Sequence, residues 1–113
     1  MILVTGPLFS GKQEYICSVL NWTEEDFREK GIRDVQEPAA CTEEDQLEAL
    51  ASRLSDFEVV LSTEVGGGIV PVDPGERKAR ERAGRLSCLL AQRADTVIRV
   101  CCGLPMVIKG AMP

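Results

Sequence analysis

The sequence predicts an α/β fold of three layers, built on a small, mostly parallel sheet with a C-terminal hairpin. Three observations carry this. An apolar, β-branched stretch from Met1 to Thr5 reads as a strand buried on both faces. A glycine-bounded loop follows it and leads into a helical pattern. Beyond the loop, strand-like and helix-like stretches alternate, as they do where helices cover both faces of a parallel sheet. With 113 residues, a single domain over 1–113 is expected.

The elements follow in order. Residues 11–20 form a helix, with Tyr15, Ile16, Val19 and Leu20 as its apolar stripe. Thr23 caps a second short helix whose first turn holds Glu24, Glu25 and Asp26, and Gly31 ends it. Ile32 to Val35 is a weak strand stopped by Pro38. Thr42 and Asp45 resemble a capping box ahead of a Leu47, Leu50, Leu54 stripe. Phe57 to Thr63 is a strand, and Gly66-Gly67-Gly68 a turn. Asp73-Pro74-Gly75-Glu76 starts a long helix with a cap, a proline at the first helical position and an acid at the third. It runs to about Arg93, with Ala79, Ala83, Leu86, Leu89 and Leu90 on one side. Thr96 to Cys102 is a strand, Gly103-Leu104-Pro105 turns the chain, and Met106 to Ile108 pairs back.

Composition narrows the function. The net charge of −5 argues against nucleic acid as the main partner, while a local loop and one lysine can still hold a nucleotide. The five cysteines show no metal or redox spacing and read as small apolar fillers in a reducing compartment. Cys101 and Cys102, adjacent on a strand, would point to opposite faces. No stretch has the length of a membrane span and the N-terminal residues lack a signal-peptide pattern, so a cytoplasmic protein without membrane partners is expected. The chain has no histidine, which removes the commonest general base and metal ligand. The sole tryptophan, Trp22, is expected to close the first helix against the core.

Gly6-Pro7-Leu8-Phe9-Ser10-Gly11-Lys12-Gln13 fits the G-x-x-x-x-G-K phosphate loop, between a strand and a helix. The glycines let the loop curl so that successive backbone N–H groups face one anion, and the helix adds its positive end. Lys12 supplies a mobile charge for the outer phosphates. Gln13 departs from the serine or threonine that normally places a hydroxyl on Mg²⁺, and its amide oxygen is a poorer ligand. Mg²⁺ held weakly by Gln13 and an acid is therefore expected, with ATP or GTP as the nucleotide.

Four stretches carry a family resemblance. They are the strand and loop from Met1 to Gln13, Thr63 to Pro71, Ala79-Arg80-Glu81 with Gly84-Arg85-Leu86-Ser87, and Gly103-Leu104-Pro105 to Lys109. Together they resemble the bifunctional adenosylcobinamide kinase / adenosylcobinamide-phosphate guanylyltransferase family. Its N-E-V-G-x-G-I-V-P segment is met here with Thr63 for Asn, and the resemblance covers roughly 1–20 and 57–110. It implies a RecA-like P-loop fold, ATP or GTP with Mg²⁺, phosphorylation of the aminopropanol hydroxyl of a corrinoid, and self-association. The family's second activity passes GMP through a histidine, which this chain lacks. The chain is also short for the family between the first helix and the middle strand, so at most the kinase half is expected.

Candidate residues follow. Lys12 would grip the β- and γ-phosphates in the loop formed by Gly6, Pro7, Leu8, Phe9, Ser10, Gly11 and Gln13. Asp34 or Glu64 would orient the metal or the acceptor hydroxyl, and Arg80 and Arg85 could reach phosphates. Three readings stay open: a stripped-down corrinoid kinase, a non-catalytic nucleotide-binding relative acting as a regulatory or assembly partner, and a kinase for another small alcohol.

Overall fold

The computed structural model describes residues 1–64 and 73–113, so the Glu-Val-Gly to Pro turn lies almost wholly outside the described residues. Strands β1 (Ile2–Gly6), β2 (Gly31–Ile32), β3 (Val59–Thr63), β4 (Thr96–Cys101) and β5 (Leu104–Lys109) form one sheet in the order β2-β3-β1-β4-β5. The first four run parallel, and β5 returns antiparallel to β4. Helices α1 (Lys12–Leu20) and α2 (Glu24–Lys30) connect β1 to β2. Helices α3 (Gln36–Ala40) and α4 (Leu47–Leu54) connect β2 to β3, and α5 (Pro74–Arg93) precedes β4.

The chain steps away from β1 to reach β2 and then moves back across the sheet. Right-handed crossovers require such a reversal to put the two sets of helices on opposite faces. Two cores record this. Val4, Val59, Leu61, Ile98 and Val100 pack with Ile16 of α1 and Phe27 of α2. Leu3, Val60 and Val97 point the other way and pack with α3, α4 and α5 through Ala39, Leu50, Leu54, Leu86 and Leu90. The alternation along each strand explains why the strands read as apolar throughout.

Most elements fall where the sequence put them. Thr23 caps α2 in a reciprocal box with Asp26, and Asp73 Oδ1 accepts from Gly75 N at 3.2 Å at the start of α5. Trp22 packs half-buried against the core of the α1 face, with Lys30 Nζ 5.6 Å from its ring centroid.

Four expectations need correction. The strand at Ile32 to Val35 is only Gly31–Ile32, because Asp34 takes a left-handed φ of 56° that turns the chain into α3. Pro38 lies inside α3 rather than stopping a strand; in the first turn its missing N–H costs no helical bond. Thr42 caps nothing, since its hydroxyl donates to Pro38 O at 2.7 Å and α4 starts from a 3-10 turn over Glu44–Gln46. Four of the five cysteines are not core fillers: Cys41, Cys88, Cys101 and Cys102 are exposed, while Cys17 is half-buried and packs against the core of the α1 face. Cys102 leaves the strand for a two-residue turn, where it and Gly103 have φ of 54° and 73°, both in the left-handed region that tight hairpins use.

The end of β1 lies against β4 with no room for a side chain. A Cβ on Gly6 would overlap Val100 O of β4 and come within 2.9 Å of Ser10 Oγ. Gly6→Ala is therefore expected to destabilise the fold by about 1–3 kcal/mol, the range for overpacking a filled site, read as the shift in a urea unfolding midpoint.

Candidate phosphate-binding site

The loop from Gly6 to Gly11 leaves β1 at the carboxyl end of the sheet, between the ends of β3 and β4. Ligands of open α/β sheets bind in this position. Phe9 and Gly11 have φ of 58° and 83°, so the backbone curls before α1 begins. Four hydrogen bonds hold the loop. Glu64 N donates to Gly6 O at 2.8 Å from the end of β3. Gly103 N donates to Ser10 O at 2.8 Å from the β4–β5 turn. Lys12 Nζ donates to Pro7 O at 2.8 Å and Gly6 O at 3.4 Å.

A cavity of about 250 Å³ lies against the loop, lined by Leu8 to Glu14 together with Arg33, Asp34, Leu61 and Thr63. Ser10 is buried, and its Oγ has no hydrogen-bond partner, which in a packed interior is a cost that a bound oxyanion would relieve. Phe9 is 95% exposed and Leu8 65% exposed, so the loop carries an apolar tip beside its polar floor. Burial lowers the Lys12 ammonium below its ordinary range, while Asp34, then Glu64, then Glu14 pull it back.

The sequence-derived residues divide into two groups. Gly11, Lys12, Gln13 and Asp34 meet in this cavity, with Leu8, Phe9 and Ser10 around them. Asp34 is held by a relay that the sequence did not reveal. Thr63 N donates to Gln36 Oε1 at 3.0 Å, and Gln36 Nε2 donates to Asp34 Oδ1 at 3.4 Å. Glu64 lies close enough to act on Lys12 but does not line the cavity, because Arg99 takes its carboxylate bidentately. Arg99 Nε donates to Oε1 at 2.6 Å and Nη2 to Oε2 at 3.0 Å. Arg80 and Arg85 sit on α5 and are not among the cavity's lining residues.

Gln13 stands where a P-loop hydroxyl would reach Mg²⁺. Its Oε1 accepts from Arg33 Nη1 at 3.1 Å, so a cation bound there would face a guanidinium. An amide oxygen already engaged by a guanidinium, in place of a free hydroxyl, does not fit Mg²⁺. Arg33 and Gln36 escaped the sequence reading because neither belongs to the phosphate-loop pattern; the one available signal for Arg33 was its place next to Asp34.

Comparison with known proteins gives one family. The model described as cobinamide kinase / cobinamide phosphate guanyltransferase matches residues 18–108. The match starts inside α1, so the phosphate loop rests on its own sequence and geometry, and it runs through the middle residues that the four recognised stretches leave out. No curated protein matches the chain. No helix among the described residues is long and apolar enough to cross a membrane.

The Glu64–Arg99 pair yields a pH prediction. The hydrogen bond from Arg99 holds the Glu64 carboxyl below its ordinary value of 4.5. Its contribution is therefore full above that pH and is lost as pH falls through the lowered folded value. The stability gap between the wild type and Glu64→Gln should be largest near pH 7 and close toward pH 3 in urea titrations. A gap that stays constant would show that the carboxylate charge contributes nothing to the fold.

Proposed function

Because the chain belongs to the cobinamide kinase / cobinamide phosphate guanyltransferase family, we propose that it binds ATP or GTP in the Gly6–Gln13 loop and phosphorylates adenosylcobinamide in cobalamin biosynthesis. The observation that carries this is the convergence of Lys12, Asp34 and the buried Ser10 hydroxyl on one cavity beside the loop. The RecA-like P-loop class and a single domain over the whole chain are part of the proposal.

In the reaction, the acceptor hydroxyl oxygen bonds to the γ-phosphorus while the bond from that phosphorus to the nucleoside diphosphate breaks. The transition state spreads negative charge over the transferred oxygens, so positioning and charge stabilisation do most of the work. Lys12 meets the β- and γ-oxygens, the loop N–H groups the rest, and Asp34, held by Gln36, accepts the hydroxyl proton. Transfer of GMP has no histidine to pass through, and we leave it out of the proposal.

A second reading, nucleotide binding without transfer by a regulatory or assembly partner, is favoured by one observation. Arg33 occupies Gln13 and Arg99 occupies Glu64, so two of the expected metal- or acceptor-side groups are already engaged.

Incubation with ATP or GTP, cobinamide and Mg²⁺ should give a phosphorylated corrinoid, detected by mass spectrometry, and Lys12→Ala should abolish it. Calorimetric binding of nucleotide with no product would select the second reading, and no binding would overturn both. We also propose self-association, for which exposed Leu104, Met106 and Ile108 on the edge strand β5 are the supporting surface. Sedimentation should show an oligomer; a monomer at all concentrations would reject it.

A further inference from the structure

The failure of the loop to fit Mg²⁺ raises the question of what balances the phosphate charge. A nucleoside triphosphate carries several negative charges, and Lys12 supplies one positive. Among the described residues, Arg33 is the only other cation lining the cavity. It is exposed, yet Gln13 ties it to the first turn of α1: the amide oxygen accepts from Arg33 Nη1 at 3.1 Å, on the helix turn where P-loops place the hydroxyl that reaches their metal. Gln13 suits this role better than serine, since its longer arm carries an acceptor out to the guanidinium.

We infer that Arg33 replaces the divalent cation at this site, so that Lys12 and the Gln13-held Arg33 bind the nucleotide's phosphates without metal. A guanidinium presents a planar fork of donors that matches phosphate oxygens bidentately and is always charged. Among the described residues, Asp34 and Glu14 are the two carboxylates lining the same cavity. Asp34 is turned into the Gln36 relay at 3.4 Å, and Glu14 is exposed on α1. The unpartnered Ser10 hydroxyl supplies a further donor from the floor of the cavity. The inference rests on the nucleotide-binding reading above and deepens it.

The test is calorimetric titration of the full chain with GTP and with ATP, once in EDTA and once in Mg²⁺. The dissociation constants in EDTA and Mg²⁺ are expected to agree within about twofold, a difference of less than half a kcal/mol. Arg33→Ala should weaken binding in EDTA at least about tenfold, as the loss of a charge-assisted hydrogen bond does. The Gln13→Ser, Arg33→Ala double variant should bind only when Mg²⁺ is present. Arg33 is exposed, so these variants should keep the wild-type melting temperature. Wild-type binding that needs Mg²⁺, or metal-free binding unchanged in Arg33→Ala, would overturn the inference and leave the nucleotide reading standing. Absence of binding under both conditions would overturn the nucleotide reading itself, and this inference with it.

Discussion

The site depends on the contact between Gly6 and Val100. β1 is the central strand, and its last residue lies so close to β4 that only a hydrogen fits at its Cα. That closeness lets the loop begin inside the sheet rather than above it. The ends of β3 and of the β4–β5 hairpin then reach the loop with one backbone hydrogen bond each, from Glu64 and Gly103. A loop tied on both sides keeps its N–H groups oriented before any ligand arrives, and such preorganisation is what makes fixed dipoles effective. The hairpin is therefore part of the site. Its left-handed Cys102 and Gly103 place the Gly103 N–H on Ser10 O.

Charge in the site is arranged in pairs that limit one another. Lys12 is partly desolvated, which disfavours its charge, and the carboxylates around it offset part of that effect. Glu64 is nearby but committed to Arg99, so it acts on Lys12 through space while its oxygens stay engaged. Asp34 has the looser partner, a 3.4 Å bond from Gln36, and so is the carboxylate with acceptor capacity to spare. The two acids that the sequence left as alternatives are thus distinguished by their partners.

Elements with strong local chemistry were legible in the sequence. The Thr23–Asp26 box, the Asp73-Pro74 start of α5 and the apolar strands follow from short-range rules, and each lies within a few residues of its expected place. The curl of the glycine-lysine loop was legible for the same reason, because it is set by the loop's own glycines. The stretch from Arg33 to Gln46 was not legible. Its conformation is set by long-range bonds, such as Thr63 N to Gln36 and Arg82 to Ala40 O, that no window of sequence contains. Arg99 was missed on similar grounds: its partner lies 35 residues away, just past the end of a different strand. A lone arginine in an apolar strand, Thr96-Val97-Ile98-Arg99-Val100, was the one available hint.

Two departures from the family pattern bear on one another. The residues of this chain include no histidine, so no imidazole can carry a covalent nucleotidyl group. In the proposed complex, chemistry at the nucleotide's α-phosphate would then have no such intermediate, and the remaining reactive end would be the γ-phosphate that Lys12 is proposed to hold. Gln13 changes that same end, since it exchanges a hydroxyl for an amide that faces Arg33. In the binding mode proposed above, a site that keeps the loop, keeps the lysine and fills the metal's place with an arginine would hold its phosphates by fixed protein charges alone. Binding of that kind needs no divalent cation, but it also lacks an ion able to follow charge onto the leaving diphosphate, so affinity and turnover become separable properties of the same loop.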